Sequence, residues 1–171
     1  MTFLIQTPRL TLRELSPAHD AGNMLALLND PGFHAGIGDR GVRTQAQAHD
    51  YLAGWHGAQY ATHGFGHYAL ELREGGDFIG TTGLIQRPDL ELPDIGYALL
   101  AAYQGRGYAE EAARAVMAHA RDTLGLRALC AIVSPGNAAS VRLLEKLGLH
   151  RAGEYRIAAE REPLAYYVVD L

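Results

Sequence analysis

A candidate ligand-holding turn lies in one stretch of the chain, Leu99-Leu-Ala-Ala-Tyr-Gln-Gly-Arg-Gly-Tyr-Ala-Glu-Glu111. It reads as a strand end, a glycine-bearing turn and an immediate helix start. Such a junction aims several main-chain N–H groups at one point, at the positive end of the helix dipole. A pyrophosphate is what such a nest holds best. Gly105 and Gly107 let the backbone come close to a ligand and take unusual dihedrals, and Arg106 can add a charge-assisted bond. The same glycines also suit a plain tight turn, and this stretch alone leaves both readings open. No G-x-x-x-x-G-K-[ST] is present, which excludes a P-loop. The nearest approach to G-x-G-x-x-G, Gly105-Arg-Gly-Tyr-Ala-Glu110, lacks its third glycine and has no first-strand dinucleotide-binding half around it.

The surrounding pattern supplies the elements that place this turn. Arg9–Glu14 alternates apolar and polar residues as a strand does. Ser16-Pro17 opens a helix to Leu28, closed by Asn29-Asp30-Pro31-Gly32, and a loop follows through Gly41. Thr44 with Gln47 forms a capping box for a helix to about Ala61, whose apolar stripe is Tyr51, Leu52, Trp55 and Ala58. Tyr68–Arg73 and Phe78–Ile85 pair across the Glu74–Asp77 turn. Ile95–Leu100 is a further strand, followed by a helix from Gly107 to Leu124. Ala128–Val133 is an unbroken apolar run, as a buried parallel strand requires. Asn137 caps a helix to Leu147, and Arg151–Tyr155 and Leu164–Val169 are the last strands. The strand–helix–strand unit over 95–133 makes a right-handed crossover with a parallel pair. The expected architecture is therefore one α/β domain over 1–171. Its sheet is mixed and mostly antiparallel, with about seven strands around a central parallel pair and helices on both faces.

Composition narrows the function classes. The 171 residues carry a net charge of −4, from 15 basic and 19 acidic residues. That is a poor footprint for nucleic-acid binding. No apolar run is long enough to span a bilayer, and the start MTFLIQTPRL lacks the pattern of a secretory signal. The expected setting is cytoplasmic. A single cysteine, Cys130, excludes an internal disulfide and a multi-cysteine zinc site; it sits in an apolar strand and is expected in the core. Lys146, the only lysine, lies at a solvated helix end and is a poor Schiff-base candidate. His49, His56 and His63 recur every seven residues along one helix stripe, two turns apart, too far to share one ion. No metal is expected, and these histidines should be partly exposed. With Trp55, Tyr60 and His34, those nearest the cleft are candidates for touching substrate.

A second stretch shifts the balance between the readings of the turn. After the apolar strand comes Val133-Ser-Pro-Gly-Asn-Ala-Ala-Ser-Val-Arg-Leu-Leu-Glu-Lys-Leu-Gly-Leu149. With Gln104, Gly107 and Ala109 matching Q/R-x-x-G-x-G/A, and Asn137 and Leu147-Gly148-Leu149 following in order, the chain resembles the GNAT superfamily of N-acetyltransferases. Ile95-Gly96-Tyr97, Tyr103–Ala109 and the opening Thr7–Arg13 are similar to the branch that includes ribosomal-protein N-terminal alanine acetyltransferases. The resemblance implies acetyl-CoA as donor, its pyrophosphate on Gln104, Gly105, Arg106, Gly107, Tyr108 and Ala109. It further implies a pantetheine arm between the splayed central strands, paired near Leu99–Ala101 and reached by Asn137. The acceptor is then a primary amine, either a small molecule or a protein N-terminus, and the enzyme a monomer or homodimer.

Acetyl transfer to an amine needs a base for the ammonium proton, a donor for the carbonyl oxygen and a partner for the departing sulfur. The branch places an acid before Ile95-Gly96-Tyr97, which makes Asp94 the first candidate base; Glu71, on the 68–73 strand, is the second. A strand N–H near Leu100 is the expected oxyanion donor. Many members carry a tyrosine seven residues after the asparagine; here that position is Leu144, which cannot donate. The branch's alternative, a serine three residues after the asparagine, is met by Ser140. Loops 33–43 and 86–93 and segment 156–163 are expected to shape the acceptor pocket. The alternative reading is a catalytically inactive acyl-CoA-binding sensor, favoured by Leu144.

Overall fold

The computed structural model describes residues 4–156 and 162–171. The order of elements is β1 (Leu4–Gln6), β2 (Leu10–Glu14), α1 (Pro17–Leu28), α2 (Pro31–Gly36), α3 (Gln45–Tyr51), a π turn (Leu52–His56) and α4 (Gly57–His63). Then come β3 (His67–Leu72), β4 (Phe78–Ile85), β5 (Asp94–Leu99), α5 (Tyr108–Asp122), β6 (Ala128–Val133), α6 (Ala138–Lys146), β7 (His150–Tyr155) and β8 (Leu164–Asp170). The strands form one sheet in the order β1-β2-β3-β4-β5-β6-β8-β7. All neighbours are antiparallel except β5 and β6. Eight strands stand where about seven were expected. The extra one, β1, has three residues, too few to show an alternation, and is held by pairing Ile5 with Leu12.

Two further departures come from side chains that substitute for apolar signals. Segment 31–36, expected as loop, is helical because Asp30 accepts the Gly32 N–H and Pro31 sits in the first turn. The helix after Thr44 keeps its capping box but turns a different stripe inward. Ala48, Leu52, His56 and Gln59 are buried, whereas Ala58 is exposed and Trp55 is 40% exposed. A reading that assigns apolar residues to the inside fails where imidazole and amide groups occupy the inner positions. It is the buried polar group, not the exposed tryptophan, that carries information.

Strand alternation divides the sheet's faces. Tyr68, Leu70, Leu84, Ile95 and Leu99 pack with Ala112, Ala113 and Val116 of α5 and Leu144 of α6. Ala69 packs on the opposite face with Leu27, Leu28, Phe33 and Leu52, and Ala98 and Leu100 border that cluster. Asp94 and Gly96 share the face of Ala98, and His67 and Glu71 that of Ala69. Cys130 is fully buried, and burial pushes its thiol up to about 12. No helix among the described residues is long and apolar enough to cross a membrane.

Candidate active site

The site is a wedge between β5 and β6. Among the described residues their parallel contact is the single pair Asp94–Cys130, backed by Cys130 N–H to Pro93 C=O at 2.9 Å. Beyond that pair the strands part. On its other edge β5 stays fully paired to β4. Leu100 N–H donates to Ile79 C=O at 2.9 Å, which sets the alternation of the ladder. The main-chain groups of Tyr97 and Leu99 therefore point away from β4, into the wedge. Leu100 N–H is spent on β4, and the N–H groups of Tyr97 and Leu99 face the opening.

Asp94 occupies the closed end of the wedge. It is buried, and Arg87 Nε donates to its Oδ2 at 2.9 Å. Burial pushes its carboxyl up to about 6, against the charge and hydrogen bond of Arg87 and a bond from Ile132 N–H. A regular parallel ladder would hand that N–H to β5. Asp94 thus fills the position where pairing stops. Glu71 is held elsewhere. It lies on β3, two strands from β5, and Arg13 binds its Oε1 at 2.9 and 2.6 Å. The same guanidinium reaches both oxygens of the fully buried Asp20.

At the open end lies the glycine turn. Gly105 and Gly107 have φ of +76° and +79°, a region glycine enters freely, and nothing occupies the space of a Gly105 side chain. The ladder of α5 begins with Glu111 N–H to Gly107 C=O. The N–H groups of Tyr108, Ala109 and Glu110 precede it and point out of the helix mouth. Arg9, unflagged as a site residue by the sequence, braces this turn. It binds Glu111 at 2.6 Å and Arg106 C=O at 2.9 Å, and its guanidinium lies 4.4 Å from the Tyr108 ring centroid. A methyl on Gly107 would meet Arg9 Nη2 at 3.4 Å. The turn thus fits a diphosphate: open space, unspent N–H donors and a flanking cation.

The remaining predicted contacts for the donor are engaged within the protein. Gln104 Nε2 donates to Leu99 C=O at 3.2 Å, and Ala101 N–H to Asp30 Oδ2 at 3.1 Å. Asn137 caps α6 by accepting Ser140 N–H at 3.2 Å, and its Nδ2 reaches Gly36 C=O at 3.5 Å. Helix α2 therefore bridges from the end of β5 to the start of α6.

Ser140 is half-buried, with its Oγ 3.0 Å from the Tyr97 hydroxyl. Burial pushes that phenol up to about 12, although its bond to Ser140 pulls the other way. Leu144 is 2% exposed and belongs to the core. Tyr97 belongs to the Ile95-Gly96-Tyr97 motif, but its pairing with Ser140 across 43 residues has no local signal. Of the other candidates, Tyr60 is structural, its hydroxyl donating to His67 C=O and accepting Leu15 N–H. His49 and His63 are exposed, but His56 is buried, contrary to expectation, because its position turns inward on the π turn. His34 lies on α2, 3.8 Å from Asp39. Lys146 is solvated and pairs with Glu110 at 2.7 Å. Among the described residues no three His, Cys, Asp or Glu side chains gather as metal ligands. Of segment 156–163, residues 157–161 lie outside the described residues.

Residues 9–150 match the family model described as the acetyltransferase (GNAT) domain. The chain belongs to the GNAT acetyltransferase family. A crystal structure of an acetyltransferase from Agrobacterium tumefaciens shares 29% identity, with a TM-score of 0.80 over 98% of this chain and 94% of that one. The ribosomal-protein-S5-alanine acetyltransferase from Vibrio fischeri superposes with a TM-score of 0.80 over 98% and 96% of the two chains. At 18% identity it speaks for the fold. The uncharacterized protein YkkB of Bacillus subtilis is 28% identical over 166 residues, covering 94% of this chain and 92% of its own. In this acetyltransferase the wedge joins the glycine turn at one end to a buried carboxylate at the other.

Proposed function

We propose that the acetyltransferase moves an acetyl group from acetyl-CoA to a primary amine by direct attack, with both substrates bound at once and the whole chain acting as one catalytic domain. The wedge carries this reading, because the parting of β5 and β6 lies between unspent N–H donors and an ionisable carboxylate. When bound, acetyl-CoA supplies an acetyl group activated as a thioester. The 104–109 turn and the first N–H groups of α5 hold the diphosphate. Main-chain groups of Tyr97 and Leu99 receive the pantetheine arm once Gln104 releases Leu99 C=O, and Asn137 Nδ2 supports it.

Asp94 takes the ammonium proton, directly or through a water, since an amine attacks only when its lone pair is free. Its position on the α1–α4 face puts the acceptor on that side. Tyr97 N–H is the donor for the carbonyl oxygen as charge builds there. The Tyr97–Ser140 hydroxyl pair lies on the opposite face and offers hydrogen bonds to the departing sulfur. That pair supplies what Leu144 cannot, which supports an enzyme over an acyl-CoA sensor. The test is thiol release from acetyl-CoA across a panel of small amines and N-terminal peptides. Turnover that falls in Asp94→Asn with CoA affinity retained supports the reading. CoA binding with no turnover on any amine favours the sensor.

A further inference from the structure

The acceptor face holds a polar cluster that the steps above leave unused. His56 is 4% exposed, and neither of its ring nitrogens has a partner among the described residues. Its ring lies 5.4 Å from Tyr51 edge-on and 5.6 Å from His67. His67 in turn covers Gly96, the β5 residue two beyond Asp94, with ring atoms 3.2 Å from where a side chain there would begin. Arg87 completes the group. Its Nε is committed to Asp94, while its two Nη groups have no partner among the described residues. Arg40 reaches the Tyr51 hydroxyl, and the charge of Arg87 acts on the same hydroxyl.

Burial lowers the His56 imidazole to about 4, and His67 to about 3 with help from His56 and Arg87. Both are neutral at pH 7, each offering one N–H and one lone pair. A buried polar atom without a partner costs free energy, so such a nitrogen is usually satisfied by water or by a ligand. Another acid, Asp89, accepts the Tyr155 hydroxyl at 2.6 Å, where the charges of Arg87 and Asp94 also act. Each neutral ring can present its N–H from either nitrogen, and with the unspent Arg87 guanidinium fork such donors match a carboxylate in geometry and charge.

Building on the proposed transfer to an amine, we propose that this cluster is an acceptor subsite for a carboxylate. The amine substrate is then an amino acid or a close derivative, its amine at Asp94 and its carboxylate on Arg87 and His56. A polyamine, with no anionic group, finds nothing here to hold it.

The experiment offers each of several amino acids beside its amide and its decarboxylated amine, with acetyl-CoA, to the full-length protein. The expected result is a kcat/KM at least about tenfold higher for the free acid than for either analogue, the size of a hydrogen bond to a charged group. His56→Phe keeps the ring and removes the nitrogens. It should raise KM for the acid about tenfold, with KM for acetyl-CoA, kcat and Tm held near wild type. Arg87→Gln, which removes the guanidinium fork, should raise the acid's KM more than that of the decarboxylated amine. Equal use of acid, amide and amine, or an unchanged KM in both variants, overturns the subsite while leaving amine acetylation standing. Calorimetry with the N-acetyl amino acids separates the remaining case. If no amine is acetylated but these ligands bind wild type and not His56→Phe, the subsite stands and the transfer reading falls. If they bind neither protein, both fall.

Discussion

Asp94 combines two demands that pull against each other, and Asp94→Asn separates them. In the unfolded chain a carboxyl titrates at its ordinary value of about 3.8; in the fold, burial lifts this one to about 6. A raised carboxyl pKa means that the fold prefers the protonated form. The protein is therefore most stable, as far as this group is concerned, below about pH 4, and it loses stability as pH climbs from there through 6. The difference amounts to about 3 kcal/mol at most, at about 1.4 kcal/mol per unit. The amide introduced by Asp94→Asn is neutral at every pH and avoids this cost. The variant's Tm should match wild type near pH 4 and exceed it at pH 8, by up to about 9 °C for a chain of this size. Activity should move the opposite way, with kcat/KM at pH 8 falling by about 10² to 10⁴ as expected for loss of a general base. The rising limb near pH 6, over which wild type gains about tenfold between pH 5 and 7, should vanish with it. Scanning fluorimetry at the two pH values and thiol release from pH 5 to 9 read both effects. A variant destabilised equally at pH 4 and 8 would refute the buried-charge argument, and one that keeps wild-type turnover would remove Asp94 from the base role.

Other substitutions test the remaining parts. Tyr97→Phe and Ser140→Ala should each lower kcat about tenfold or more at constant CoA affinity, and the double variant should be little worse than either, because the two hydroxyls act as one unit. Independent, multiplying losses would count against their pairing. Leu144→Tyr, which restores the residue common in the family, should not raise activity. It forces a larger ring into a filled core and should cost about 1–3 kcal/mol in denaturant unfolding; a gain in kcat would contradict that placement. Arg13→Ala leaves Asp20 buried without its cation and should destabilise by about 3–5 kcal/mol in the same assay. Little change would mean that Asp20 finds water.

What could be read along the chain was whatever local chemistry decides. Gly105 and Gly107 announce a turn that needs positive φ, the Thr44–Gln47 box announces a helix start, and the apolar run 128–133 announces a strand buried on both faces. These signals depend on neighbours a few residues apart, so the α/β order, the parallel crossover and the glycine turn were all legible. The departures arose where distant groups meet. Leu100 could be told from Tyr97 as an N–H donor only after the β4–β5 register was fixed, since a shift of one residue exchanges which groups face the wedge. The same holds for Tyr97 beside Ser140, Arg9 under the Arg106 turn and His56 turned in toward His67. Each of these contacts exists because strands and helices stack in one order, not because the chain carries a pattern for it. The sequence determined which pieces form and where the glycine turn falls. Tertiary packing decided which carboxylate is buried and which polar groups are left without a partner.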